Sequence, residues 1–228
     1  MKKIVLALDV NRQKAKTLID KLSDRIDIFK IGHKLFVQYP EIINYINKKN
    51  KKVIIDLKYH DIPSVVSLAI EEIINRYNPF GITIHISGGK NMLISAVQTK
   101  NTLKYKPLLF GVTILTSLTL DDLNDVFGYF KNNNMESIII NMAKLAKQCG
   151  LDGVVCSGNE IKIIKKVCGE KFLTLVPGIT IKEEKRPDQK RKISLKQAIK
   201  YGADYVVIGR EIYNAVGNKD IGFNYDNI

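Results

Sequence analysis

Along the chain, short runs of β-branched and other apolar residues alternate with longer stretches in which apolar residues recur three and four apart. Ile4 to Leu8 is the first run, and Ala15, Leu18, Ile19 and Leu22 follow it at i, i+3, i+4 and i+7. The run has the composition of a strand, and the stripe is the buried side of a helix. The same alternation recurs. Ile28 to Ile31 precedes a stripe at Ile42, Ile43 and Ile46, and Val53 to Ile55 precedes one at Val65, Val66, Ala69, Ile70, Ile73 and Ile74. Ile82 to Ile84, Leu108 to Ile114, Gly153 to Val155, Phe172 to Val176 and Tyr205 to Ile208 are the remaining candidate strands. Thr119 with Asp122 and Ser194 with Gln197 have capping-box spacing, which predicts helix starts, and Gly202 predicts a helix stop before the last strand.

Strands that alternate with helices imply a parallel sheet, because parallel neighbours need a crossover connection. Eight such units in 228 residues predict an α/β fold of the closed (β/α)8 kind, a TIM barrel, with residues 1–228 as a single domain. A doubly wound open sheet is the alternative. It normally opens on a glycine-rich first turn, whereas Asp9-Val10-Asn11 follows the first strand here.

Composition narrows the function classes. Hydrophobic residues are 45% and charged residues 26% of the chain, enough apolar material for a core and not the composition of a disordered chain. No run of about 18 apolar residues is present, so no membrane span is expected. Met1-Lys2-Lys3 before Ile4 to Leu8 has the start of a leader, but the apolar stretch is short and Asp9 ends it. Cys149, Cys156 and Cys168 form no Cys-x-x-Cys pair and are odd in number, which fits a reducing, cytoplasmic location.

Lys and Arg number 36 against 23 Asp and Glu, a net charge of +13 that draws anions. The basic residues are scattered, and aromatics do not interleave with the basic runs as a nucleic-acid platform requires, so no nucleic-acid partner is expected. Two clusters stand out. Lys48-Lys49-Asn50-Lys51-Lys52 precedes the third strand and falls on the barrel's N-terminal face, as solvated surface. Lys182 to Lys192 follows the seventh strand, on the C-terminal face where barrels carry their chemistry.

Polar groups crowd that face. Asp9 ends the first strand, Lys30 sits in Phe29-Lys30-Ile31-Gly32, and the third strand runs into Asp56-Leu57-Lys58-Tyr59-His60-Asp61-Ile62-Pro63. His85 ends the fourth, before Ser87-Gly88-Gly89, and is expected to pack at the strand end. Asp56 and Lys58 are two apart, so in an extended segment both point to one side, within reach of Lys30 on the neighbouring strand. Charges placed inside strand patterns are costly unless paired. Lys30, Asp56, Lys58 and Asp61 would nearly neutralise one another while holding a fixed field. An ion-pair network that merely closes the end of the barrel is the alternative.

Asp56 to Pro63 reads Asp-x-Lys-x-x-Asp-Ile-Pro, and further motifs stand around it in order. They are Leu6-Ala7-Leu8-Asp9, Phe29 to Gly32, His85 to Gly89, Val112 to Ser117, Gly150 to Ser157, Pro177-Gly178-Ile179, Asp188 to Arg191 and Val207-Ile208-Gly209-Arg210. Over nearly its whole length the chain resembles the orotidine 5'-phosphate decarboxylase family. The resemblance implies removal of the C6 carboxylate of orotidine 5'-monophosphate (OMP), giving UMP and carbon dioxide in de novo pyrimidine biosynthesis, with no cofactor and no metal. It implies that Lys58 stabilises charge at C6 and then donates the proton, and that Asp56 faces the departing carboxylate. Asp9 and Lys30 would bind ribose hydroxyls. Asp61 and Ile62 would enter the site of a partner subunit, so a homodimer with shared sites is expected. Thr116 and Pro177 would contact the pyrimidine, Gly209 and Arg210 the phosphate, and Gln189, in a lid, both.

Two departures bear on affinity. Ser64-Val65 stands where the family usually has a residue followed by Thr, and Val176-Pro177-Gly178-Ile179-Thr180 lacks the Arg that often ends that motif. Lys182, Lys185 or Lys190 could supply the missing phosphate contact. Two rival functions share parts of this pattern. Sugar-phosphate decarboxylases and hexulose-phosphate synthases share Asp-x-Lys-x-x-Asp but hold Mg²⁺ with a Glu where this chain has Lys30, and a lysine there repels a cation. A basic barrel that has lost catalysis and binds RNA or nucleotides as a regulator would not need the Lys30, Asp56, Lys58 and Asp61 set, and binding to long nucleic acids would depend steeply on salt.

Overall fold

The computed structural model describes residues 3–128, 134–181 and 193–217. In chain order its elements begin with β1 (Lys3–Ala7), α1 (Arg12–Leu22), β2 (Ile28–Gly32), α2 (His33–Gln38), α3 (Ile42–Lys48), β3 (Lys52–Tyr59) and α4 (Pro63–Tyr77). Next come β4 (Gly81–His85), α5 (Gly89–Thr102), β5 (Leu108–Val112), α6 (Leu120–Phe127), α7 (Met135–Gln148) and β6 (Gly153–Val155). The last are α8 (Ile161–Cys168), β7 (Leu173–Val176), β8 (Ile179–Thr180), β9 (Ile193–Ser194), α9 (Leu195–Tyr201), β10 (Tyr205–Ile208) and α10 (Arg210–Gly217). Strands β1 to β7 and β10 close into one parallel barrel in the order β1-β10-β7-β6-β5-β4-β3-β2. Each predicted strand is one stave, and the open-sheet alternative is excluded.

Side-chain alternation explains how eight short strands make two cores. Val5, Ala7, Ile28, Ile54, Phe110, Leu175, Tyr205 and Val207 point inward and fill the barrel. Leu6, Phe29, Ile31, Val53, Ile55, Ile82 and Ile84 point outward, against the helices, together with the predicted stripe Ala15, Leu18, Ile19 and Leu22 of α1. Tyr205 meets Phe110 edge-on at 5.8 Å and Phe80 at 5.7 Å. An eight-stranded barrel leaves room only for side chains, so its lower part is solid.

Two aspartates pin strand starts. Asp152, just before β6, accepts the Leu109 N–H at 2.7 Å and the Lys100 ammonium at 2.7 Å. Asp204, just before β10, accepts the Thr174 N–H at 2.8 Å and the Lys165 ammonium at 2.7 Å. Lys165 gives its other protons to the carbonyls of Glu170 and Phe172, both at 2.9 Å, so its buried charge is fully satisfied.

Both predicted capping boxes form, and Gly202 ends α9 in the left-handed region at φ 97°. Other boundaries differ from expectation. The stripe after β2 belongs to a second helix, α3, which follows α2 across Pro40. The fifth strand ends at Val112 rather than Ile114, because Thr113 turns both its N–H (3.3 Å) and its hydroxyl (2.9 Å) to the Val155 carbonyl. Beyond β7, the pair β8–β9 joins the two ends of the 182–192 segment in a small parallel sheet, Ile179 opposite Ile193 and Thr180 opposite Ser194.

Candidate active site

The inward column of the barrel turns from apolar to charged at its C-terminal end. Lys30 stands two residues beyond Ile28, and Asp56 two beyond Ile54, so the alternation that fills the barrel also aims both charges into its mouth. Lys30 Nζ donates to Asp56 Oδ2 at 2.7 Å, and Lys58 Nζ lies 2.9 Å from Asp56 Oδ1. Asp9 Oδ1 is 3.8 Å from Lys30 Nζ. The four groups form a chain of alternating sign, Asp9, Lys30, Asp56, Lys58.

Asp56 is buried, which pushes its carboxyl towards neutrality. The charges and hydrogen bonds of Lys30 and Lys58 overcome that effect and hold its pKa at about 2. The carboxylate is therefore ionised at neutral pH and fixes both ammonium groups. Lys58 reaches it by an unusual backbone path. Its φ is 50°, and between the pairs Ile55–Ile82 and Tyr59–Ile84 three residues of β3 stand against one of β4. The expectation that simple extension puts Asp56 and Lys58 on one side is corrected here: a bulge, not alternation, brings the ammonium back to the carboxylate.

A cavity of about 660 Å³ opens over this chain of charges. Asp9, Lys30, Asp56 and Lys58 line it, and so do Thr116, Pro177, Gly209 and Arg210. Eight of the predicted site residues thus share one cavity. Asp61 and Ile62 do not line it. Both are exposed, with Asp61 Oδ1 accepting the Ile62 N–H at 2.7 Å, so the fourth charge of the array within this chain is Asp9 rather than Asp61. Gln189, Lys182, Lys185 and Lys190 lie outside the described residues. His85 sits beside the array, half-buried, its ring 5.4 Å from that of His60; burial, then His60 and Lys58, lower its pKa.

Three neighbours were not singled out from sequence. Glu211 Oε2 accepts the Ile181 N–H at 2.5 Å, tying the strand β8 exit to the first turn of α10. The Tyr213 hydroxyl accepts the Asp9 N–H at 3.0 Å, and burial pushes its pKa to about 12. Thr83, inward on β4, touches both Asp56 and Lys58. Its signal was present, a polar residue between Ile82 and Ile84 at a position where the pattern demands burial. Cys156 also lines the cavity, and burial keeps it a thiol. Among the described residues no group of three or more His, Cys, Asp and Glu side chains could hold a metal ion, and Lys30 stands between the two carboxylates nearest the cavity floor.

The arrangement holds two ammonium groups and two carboxylates fixed against one another, at the base of a pocket that ends in a glycine and an arginine after the last strand. Barrels commonly hold phosphate at that place. Comparison with known proteins agrees. The profile of the "Orotidine 5'-phosphate decarboxylase / HUMPS family" matches residues 2–220. The orotidine 5'-phosphate decarboxylase of Carboxydothermus hydrogenoformans is 39% identical over 219 residues, covering 93% of this chain and 90% of the relative. That of Syntrophomonas wolfei is 38% identical over 220 residues, covering 93% and 91%. Among solved structures, the orotidine 5'-phosphate decarboxylase of Lactobacillus acidophilus superposes with a TM-score of 0.81 at 30% identity, covering 94% of this chain and 93% of that one. An uncharacterized conserved protein of Geobacillus kaustophilus gives 0.79 at 28%, covering 93% of each chain. With its barrel, its ordered motifs and its charged pocket in agreement, the chain belongs to the orotidine 5'-phosphate decarboxylase / HUMPS family.

Proposed function

We propose that this enzyme converts OMP to UMP and carbon dioxide without a metal, using Lys58 as the proton donor to C6. Family membership supports decarboxylase activity in pyrimidine biosynthesis. The observation that carries the finer reading is the alternating chain Asp9, Lys30, Asp56, Lys58 at the cavity floor. In the proposed reaction the bond between C6 and the carboxylate carbon breaks, its electron pair stays on C6, and carbon dioxide leaves. Lys58 Nζ then gives a proton to C6 and regains one from water. An ammonium already held by Asp56 needs no reorientation as charge grows at C6, which is where an electrostatic catalyst gains most. A lysine joins that point charge to a transferable proton, as an arginine would not.

Asp9 and Lys30 would receive the ribose hydroxyls, Thr116 and Pro177 the pyrimidine, and Gly209 and Arg210 the phosphate. Arginine suits that last role because its fork matches two phosphate oxygens. Asp61 and Ile62 would complete the site of a second copy. Their exposure supports this, as do exposed Val65 and Leu68 on the same side of α4. The three free, buried cysteines fit a reducing compartment.

The metal-dependent sugar-phosphate branch of the family is the rival reading. An ammonium at Lys30, 2.7 Å from Asp56 and 3.8 Å from Asp9, opposes a divalent cation at that place. Purified protein is to be given OMP and, separately, a 3-keto sugar phosphate with Mg²⁺. Loss of the near-UV absorbance of OMP with release of carbon dioxide is the expected result. Turnover of the sugar phosphate alone would put the protein in the rival branch.

A further inference from the structure

Thr83 is fully buried in the middle of β4 and does not line the cavity, so it acts on the site only through its neighbours. Its hydroxyl donates to Asp56 Oδ1 at 2.9 Å and accepts the main-chain N–H of Lys58 at 3.0 Å. A threonine hydroxyl has one proton to give and two lone pairs, and here it joins a carboxylate to an amide with both kinds of group in use. The amide is that of the residue held at φ 50°, in the stretch where β3 slips against β4. A lysine in the left-handed region is strained and persists only where its surroundings over-determine it. The bulge takes the Lys58 N–H out of the regular ladder, and the fully buried Thr83 gives that N–H a partner.

We propose that Thr83 is a positioning residue for the decarboxylation: one hydroxyl sets both the backbone of Lys58 and the orientation of the Asp56 carboxylate, and so fixes where the ammonium stands. The proposal rests on the decarboxylase reading above and adds to it a residue that touches no substrate. Valine has nearly the shape of threonine but can neither accept from the amide nor donate to the carboxylate. With it the bulge relaxes and Asp56 turns, while Asp9, Thr116, Pro177, Gly209 and Arg210 stay in place. Serine keeps both hydrogen bonds and loses only a methyl group.

The test compares Thr83→Val, Thr83→Ala and Thr83→Ser for steady-state decarboxylation of OMP, with a thermal melt of each to establish that it is folded. Thr83→Val and Thr83→Ala are expected to lower kcat about 10- to 100-fold with KM changed less than about threefold, the pattern of a displaced reacting group rather than of lost substrate binding. Thr83→Ser is expected to stay within about threefold of the wild type on both. A folded Thr83→Val or Thr83→Ala with wild-type kcat overturns the proposal. So does a Thr83→Ser as impaired as the other two, since packing and not the hydroxyl would then be the cause. Should Thr83→Val fail to fold, the Ala and Ser variants carry the same comparison. A wild-type protein that leaves OMP untouched removes the decarboxylase reading and this inference together, whereas an active wild type with an unimpaired Thr83→Val removes this inference alone.

Discussion

Asp56 holds one negative charge between two ammonium groups, and its fate decides whether the site exists at all. Burial pushes it towards neutrality; Lys30 and Lys58 outweigh that and hold its pKa at about 2, below an unfolded value near 3.8. A carboxylate whose folded pKa is depressed stabilises the fold above the unfolded value, and that contribution fades as pH falls through the folded one. The shift corresponds to roughly 2 kcal/mol at neutral pH. Urea denaturation from pH 5 down to pH 2 is therefore expected to show a steeper loss of stability for the wild type than for Asp56→Asn. At pH 7 the variant, with Lys30 left buried beside a neutral amide, is expected to be less stable by about 3 kcal/mol. Equal pH slopes for the two proteins would contradict this account. Other lowered carboxylates, Asp20 and Asp122, titrate in both proteins alike and cancel in the difference.

Elements differ in how far their sequence announces them. Strands such as Val53 to Ile55 are legible because a barrel strand is apolar on both faces, and helices α6 and α9 because their caps are written as Thr119 with Asp122 and Ser194 with Gln197. Helix α7 has a cap too, but it pairs Asn134 with Ser137, where a serine replaces the usual Glu or Gln. The charges Lys30, Asp56 and Lys58 were legible as costly residues in strand patterns, and their gathering at one end of the barrel follows from strand polarity. The bulge was not. Nothing in Asp56-Leu57-Lys58-Tyr59 calls for a left-handed lysine; that conformation depends on Thr83, from a different strand. Glu211 and Tyr213 were hidden for the same reason, since their partners Ile181 and Asp9 are 30 and 204 residues away. The Lys100–Asp152 and Lys165–Asp204 clamps also need the fold to bring them together.

The chain lines the pocket from seven of its eight barrel strands, and Asp61 stays outside it. Ile62, Val65 and Leu68, spaced three apart, are 61%, 43% and 63% exposed, an apolar stripe beside that unused carboxylate. A dimer that buries the stripe and exchanges Asp61 accounts for both features, and its isologous symmetry would complete two sites at once. Lys58→Ala and Asp61→Ala proteins are each expected to be nearly inactive. Refolded together in equal amounts they are expected to regain about a quarter of wild-type activity, because half of the dimers are mixed and each mixed dimer has one intact site. A mixture no more active than its components would show that sites are not shared. The net charge of +13 also belongs to the chain as a whole, as a field that draws an anionic substrate towards any site on the surface.

In the proposed reaction Lys58, held by Asp56, delivers the proton to C6 with no metal. Its most direct test follows the near-UV absorbance of OMP mixed with purified protein in excess EDTA, for the wild type and for Lys58→Ala side by side. Decay is expected with the wild type and none above background with the variant. Decay that EDTA abolishes, or that survives in Lys58→Ala, would contradict that mechanism.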